Sequence, residues 1–115
     1  MLEMSRVTII TRGEKFEELR KRLLEIGVSG MTLTKVDGCG VQHGLTKIVE
    51  GVTKRVYMNS KIKVDIVICS VPVDEVIRVA GEVLQTGSIG DGKIFVSEIK
   101  RVIRIRTGEE NERAL

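Results

Sequence analysis

The chain has 115 residues, enough for one domain with a modest core, and its 19 basic against 16 acidic residues give a formal net charge of +3. That mild and scattered excess demands neither nucleic acid nor a membrane surface, and no apolar run approaches the roughly 20 residues of a membrane span. Cys39 and Cys69 are far apart, with a single histidine and no CxxC, which leaves a zinc or disulfide framework unsupported and fits reduced thiols in cytosol.

In chain order, MLEMSRVTII carries Glu3 and too short an apolar run for a signal peptide, so a soluble cytoplasmic protein is expected. Its RVTII is β-branched and supplies a first strand. KFEELRKRLLEI then sets Phe16, Leu19, Leu23 and Ile26 on one helical face, with Gly27 as the stop. MTLTKV is the second strand. Residues 37–60 form a connection far longer than two strands need, and glycines at 38, 40, 44 and 51 argue for a mobile arm that orders with a ligand or partner. KIKVDIVI is the cleanest strand, with Ile62, Val64, Ile66 and Ile68 on one side and Lys61, Lys63, Asp65 and Val67 on the other. Pro72 lies near the start of a second helix that turns Val76, Val79, Ala80, Val83 and Leu84 inward, and KIFVS is the fourth strand.

The order βαββαβ is that of the ferredoxin-like fold: α+β, with a four-stranded antiparallel sheet and both helices on one face. The chain reads as one domain over 1–115, with the long loop at 37–60 and a C-terminal extension at 99–115. The uncovered sheet face mixes Ile and Val with Lys and Thr, so it is expected to pack against other copies of the chain.

Between the second helix and the fourth strand, TGSIGDGK at 86–93 places Gly87, Gly90 and Gly92 before Lys93. Flexible backbone amides leading into a lysine can cradle phosphate, although a tight helix-to-strand turn has the same pattern. Downstream, RVIRIRTG alternates Ile103 and Ile105 with Arg104 and Arg106, so a strand there would aim both guanidiniums one way, to suit an oligophosphate or to edge the sheet in solvent. Taken together the two motifs favour a nucleotide site built from amides and cations. Lys61 and Lys63 are otherwise the polar side of a sheet, His43 and Cys39 ordinary loop residues, and Glu109, Glu110 and Glu112 solvated charge. A phosphotransferase-like domain is the catalytic alternative, but it lacks a nucleophile or base beside the motif. An RNA-binding module of this fold would need aromatics on the open face, where the strands offer only Phe95.

The chain resembles the PII nitrogen-regulatory signal-transduction proteins from about residue 6 to 110. The resemblance rests on GVSGMT at 27–32, VxGxGxQxG at 36–44, TGSIGDGKIFV at 86–96 and RVIRIRTGE at 101–109. It implies a non-enzymatic homotrimer with nucleotide sites in clefts between subunits, where ATP and ADP compete, and 2-oxoglutarate sensing beside a magnesium ion on the ATP phosphates. By the same resemblance Thr32, Gly38 and Val67 line the nucleotide pocket, Gly90, Gly92 and Lys93 hold phosphates, and Arg104 and Arg106 reach across the cleft. Gln42 helps coordinate magnesium and Lys61 pairs with a 2-oxoglutarate carboxylate. The long loop would grip a nitrogen-metabolism enzyme or regulator. Four positions depart from the pattern. Val41 replaces a basic residue, which bears on ATP affinity and on the choice between ATP and ADP. Lys54 and Val52 stand where some members carry a modified tyrosine or serine, so neither modification is expected, and Tyr57 is read as a loop anchor. Glu50 reverses the charge of an arginine that plugs ammonium channels, so an ammonium transporter is not the expected partner.

Overall fold

The computed structural model describes residues 3–39, 46–49, 52–55 and 58–115. Strand β1 spans Met4–Thr11, helix α1 Phe16–Glu25, strand β2 Thr32–Cys39, strands β3 and β4 Thr46–Val49 and Val52–Arg55, strand β5 Met58–Ile68, helix α2 Val73–Leu84 and strand β6 Lys93–Ile99. Four of these strands make one sheet in the order β2-β5-β1-β6, with every neighbouring pair antiparallel. This is the expected ferredoxin-like α+β fold.

Alternation along β1 and β5 decides which face is covered. Side chains of a strand point to opposite faces in turn. Val7 and Ile9 of β1 and Ile62, Val64, Ile66 and Ile68 of β5 therefore share the face on which the helices lie. There they meet Leu19 and Leu23 of α1 and Val76, Val79, Ala80 and Val83 of α2, with Phe16, Ile26 and Leu84 packed at the margin. The inward positions of both helices are those that the periodicity predicts.

Helix α1 ends in a Schellman arrangement. Gly27 adopts φ +100°, its N–H donates to Leu24 at 3.1 Å, and the N–H of Val28 donates to Leu23 at 3.1 Å. Glycine suits the left-handed position, and the buried Val28 closes the apolar contact onto Leu23. At the other helix, Pro72 with φ −64° is the N-cap, and Asp74 and Glu75 in the first turn complement the positive end of the helix dipole.

The connection expected to loop freely over 37–60 is strand-paired in the segments described. Asp37, Gly38 and Cys39 lie opposite Ser60, Asn59 and Met58, which extends the β2–β5 ladder, and β3 pairs antiparallel with β4. The physical reason is local: Ile48, Val49, Val52, Thr46 and Thr53 all favour extended backbone, and a ladder satisfies amides that a loop leaves to water. The molecule measures 59 × 27 × 21 Å along its principal axes. Among the described residues no helix is long and apolar enough to cross a membrane.

Register gives the uncovered face Thr8 and Ile10 from β1, Thr32 and Thr34 from β2, Lys63, Asp65 and Val67 from β5 and Phe95 from β6. Thr8 Oγ1 donates to Asp65 at 2.6 Å and Lys63 stands 3.8 Å from the same carboxylate. Phe95 is 52% exposed there, a large apolar surface for a chain of this size to leave to water.

Candidate functional site

The glycine-rich segment 86–93 lies at the end of the sheet where β1 finishes and β5 begins, and side chains from both strands hold it. Three successive carbonyls of the loop accept hydrogen bonds. Arg12 Nη2 donates to Ile89 at 2.9 Å, Lys61 Nζ to Gly90 at 2.5 Å and Thr11 Oγ1 to Asp91 at 2.7 Å. Thr11 is only 2% exposed, so its hydroxyl needs a partner, and the Asp91 carbonyl provides it.

Within the loop the Asp91 carboxylate organises the turn. It accepts from the Thr86 hydroxyl at 2.5 Å, the Thr86 N–H at 2.7 Å and the Gly87 N–H at 3.0 Å. The Thr86 hydroxyl accepts in turn from the Ser88 N–H at 3.2 Å, and Arg12 stands 3.1 Å from the carboxylate. The hydroxyl bond, then the Thr86 and Gly87 N–H bonds and the Arg12 charge, hold the Asp91 carboxyl down to about 2 from the ordinary 3.8, against the opposing push of burial. At Gly92 the chain crosses β1 so closely that a Cβ would lie 1.9 Å from the Ile10 carbonyl oxygen.

The depressed carboxyl has a consequence for acid stability. A group whose folded pKa lies below its unfolded value stabilises the fold above the unfolded pKa, and that contribution disappears as pH falls from about 4 towards 2. The charged groups around Asp91 are Arg12, Glu14, Lys15, Lys93 and, across the loop, Lys61. Of these only Glu14 is a carboxylate, and it points to Arg12 at 3.8 Å. Asp91→Asn should therefore flatten the acid limb of denaturation midpoint against pH between about 4 and 2, with Glu14→Gln moving it little. An unchanged limb in Asp91→Asn would show that these bonds do not hold in solution.

Beside the loop is a small polar cavity of about 190 Å³ lined by Arg12, Asn59, Ser60, Lys61, Ile89 and Gly90. A larger hollow of about 530 Å³ lies at the base of the arm between Gly13, Lys35, Asp37 and Ser60. Arg12 and Lys61 flank Gly90 from two sides, each with a nitrogen 3.3 Å from where a Cβ would stand. Two cations, a hydroxyl and a carboxamide around so small a space suit an anionic group.

The other expected site residues are distributed along the same open face. Thr32 lies opposite Asp65, Val67 opposite Arg6, Gly38 opposite Asn59 and Lys93 opposite Ile10, all in the register of the uncovered side. Gly38 also sits against the Lys61 stem, which would be 3.5 Å from a Cβ there. Gln42, Val41, His43, Glu50 and Tyr57 lie outside the described residues, as do the side chains of Cys39, Val52 and Lys54. Among the described residues no cluster of His, Cys, Asp and Glu could hold a metal ion, and Cys69 is a half-buried free thiol.

Two expectations are corrected. The glycine loop was expected to offer its amides to phosphate, but those of Thr86, Gly87, Ser88 and Asp91 are used inside the turn, the last donating to the Ser88 carbonyl at 3.4 Å. Arg104 and Arg106 were expected on one strand face. Instead only Ile103 bridges to Glu110, while Gly108, at φ +73°, closes a turn by donating to Arg104 at 2.8 Å. The Thr-Gly turn signal reverses the chain straight after Arg106, and residues 109–111 come back to pair with 102–104. The tail carboxylates are accordingly paired and not simply solvated: Glu109 with Arg104 at 3.0 Å and Glu110 with Arg101. This hairpin leaves the sheet where β1 begins and β5 ends, and Glu112 and Leu115 border a cavity with Val67, Ile68 and Cys69. One chain therefore keeps the arginine pair at the opposite end from Gly90.

Sequence reasoning left Asp91, Thr86, Arg12 and Thr11 without a role. An aspartate between two glycines, five positions after a threonine, is a turn-capping signal that was available. The ends of β1 gave none, because their partners are distant in the chain.

Fold and site together define a ferredoxin-like domain with an anion-receptive loop at the mouth of its open sheet face. The chain belongs to the nitrogen regulatory protein P-II family, whose model matches residues 4–109. It is a nitrogen-regulatory signalling protein and not an enzyme. A nitrogen regulatory PII-like protein of Bacillus subtilis (strain 168) is 47% identical over 113 residues, spanning 98% of this chain and 97% of that relative. The structure of the B. subtilis GlnK–ATP complex superposes with a TM-score of 0.84 at 45% identity, over 98% of each chain. Arabidopsis thaliana PII bound to citrate superposes with a TM-score of 0.79 at 35% identity, over 99% of this chain and 94% of that one.

Proposed function

We propose that the protein is a cytoplasmic homotrimeric sensor that binds ATP or ADP in clefts between subunits, takes up 2-oxoglutarate with magnesium, and reports both through its arm to a nitrogen-metabolism target. The observation that carries this reading is the convergence of Arg12, Lys61 and the segment from Ile89 to Lys93 at one end of the open face. It is supported by the ATP complex of the B. subtilis relative.

Each ligand has a chemical counterpart. The nucleotide phosphates meet the Gly90 to Lys93 backbone and the Lys93 ammonium, while Thr32, Gly38 and Val67 line the face along which base and sugar lie. Arg104 and Arg106 act from a neighbouring copy, which agrees with their distance from Gly90 within one chain. Magnesium prefers oxygen ligands from phosphates with few protein groups, and Gln42 would supply an amide oxygen to an ion carried in by the nucleotide. Bound there it would neutralise phosphate charge and orient the oxoacid. Lys61 meets a carboxylate of the oxoacid as a point charge, which requires it to leave the Gly90 carbonyl. The citrate complex of the Arabidopsis relative shows a polycarboxylate on that fold.

Calorimetric titration of ATP and ADP with magnesium, then of 2-oxoglutarate into ATP-saturated and nucleotide-free protein, tests the reading. The expected result is oxoacid binding only with ATP and magnesium present, a positive coupling between two sites. Absence of nucleotide binding would overturn the proposal, and sedimentation showing only monomer would remove the shared cleft.

A further inference from the structure

We infer that Asp91 is a positioning residue for the phosphate-receiving loop: its carboxylate fixes residues 86–88 from within while its own N–H closes onto the Ser88 carbonyl at 3.4 Å, so that the backbone around Gly90 and Gly92 is set for an oligophosphate before the ligand arrives. The inference rests on the nucleotide reading above and extends it to a residue that does not itself touch ligand.

The loop has two chemical sides. A carbonyl oxygen facing a phosphate would repel it, yet the carbonyls of Ile89, Gly90 and Asp91 are turned onto Arg12, Lys61 and Thr11. A carboxylate in such a loop is also unfavourable for an incoming anion unless it is neutralised and turned inward. Three donors from Thr86 and Gly87, together with Arg12 at 3.1 Å, do both. Replacing the carboxylate by a carboxamide leaves one accepting oxygen where there were two, so part of the donor set loses its acceptor, and Arg12 loses the charge of one of its two loop partners. The turn then has to be ordered at the moment of binding, which costs affinity.

The test uses the full-length protein and its Asp91→Asn variant, which keeps the shape and removes the charge. Amide hydrogen exchange of residues 86–93 is followed without ligand, and magnesium-ATP, tripolyphosphate and AMP are titrated by calorimetry. Expected are exchange about tenfold faster in the loop with β5 and α2 unchanged, ATP affinity about tenfold weaker, and AMP affinity within about twofold. Thr86→Val, which removes one donor to the carboxylate and the acceptor of the Ser88 N–H but keeps the carboxylate, should give a loss in the same direction, and it carries the test if Asp91→Asn fails to fold. Unchanged loop exchange in the variant overturns the inference. Equal losses for ATP and AMP also overturn it, since they would mark a purely structural role. Wild-type protein that binds neither ATP nor tripolyphosphate brings down the nucleotide reading and this role with it, whereas full-strength ATP binding by Asp91→Asn removes the role of Asp91 alone.

Discussion

Replacing Gly92 with alanine is expected to cost about 3 kcal/mol or more, while Gly87→Ala costs about 1 kcal/mol, although both glycines have positive φ and lie in the same loop. The backbone conformation alone, φ +111° at Gly92 and +84° at Gly87, would predict similar penalties. Space separates them. A Cβ at Gly92 would stand 1.9 Å from the Ile10 carbonyl oxygen and 2.9 Å from the Thr11 Cα, whereas nothing lies within 4 Å of one at Gly87. The obstruction is backbone of β1, which is paired on both sides, to β5 and to β6, and cannot retreat without breaking a ladder. The loop must move instead. That movement would pull Asp91 away from the Thr11 hydroxyl at 2.7 Å and leave a buried donor unpaired. Denaturant midpoints of the two variants measure the difference. Equal losses would mean that Gly92 is retained for its conformation and not for the close approach.

What the sequence made legible, and what it hid, follows the range of the interactions involved. Strand β5 could be read because Ile62, Val64, Ile66 and Ile68 alternate with polar residues, and both helices because their apolar positions recur each turn; these are local patterns. Gly27 as the end of α1 is equally local. The seat of the glycine loop is not. Thr11 and Asp91 are 80 positions apart and Lys61 and Gly90 are 29 apart, so no window of the sequence contains both partners. Alternation misled at the C-terminus, where Arg104 and Arg106 keep a period of two but Gly108 folds the chain back within two residues of Arg106. In the arm, glycine content pointed to a free loop, while the β-branched residues between the glycines formed paired strands. The paired arginines and the glycine loop, read together as one site, lie at opposite ends of a single chain. The proposed shared site would need a second copy to unite them, which no single-chain pattern encodes.

The neighbouring leucines of α1 give a sharp test of the core. Leu23→Ala is expected to destabilise the protein by about 3–4 kcal/mol and Leu24→Ala by no more than about 0.5 kcal/mol. Leu23 is 0% exposed and belongs to the cluster with β1, β5 and α2, whereas Leu24 is 45% exposed. Truncating Leu23 removes transfer free energy and leaves a cavity lined by strands that cannot collapse into it. It also removes the apolar partner of Val28, on which the Schellman closure of the helix rests. Truncating Leu24 exposes little new apolar surface, and alanine's better helix propensity offsets part of the loss. For a domain whose whole stability is on the order of 5–15 kcal/mol, the first change consumes a large share, and its thermal midpoint should fall by about 10–25 °C. The second should shift it by no more than a few degrees. Comparable losses in both would mean that α1 is rotated about its axis from the arrangement described, and would undo the assignment of Leu19 and Leu23 as its buried stripe.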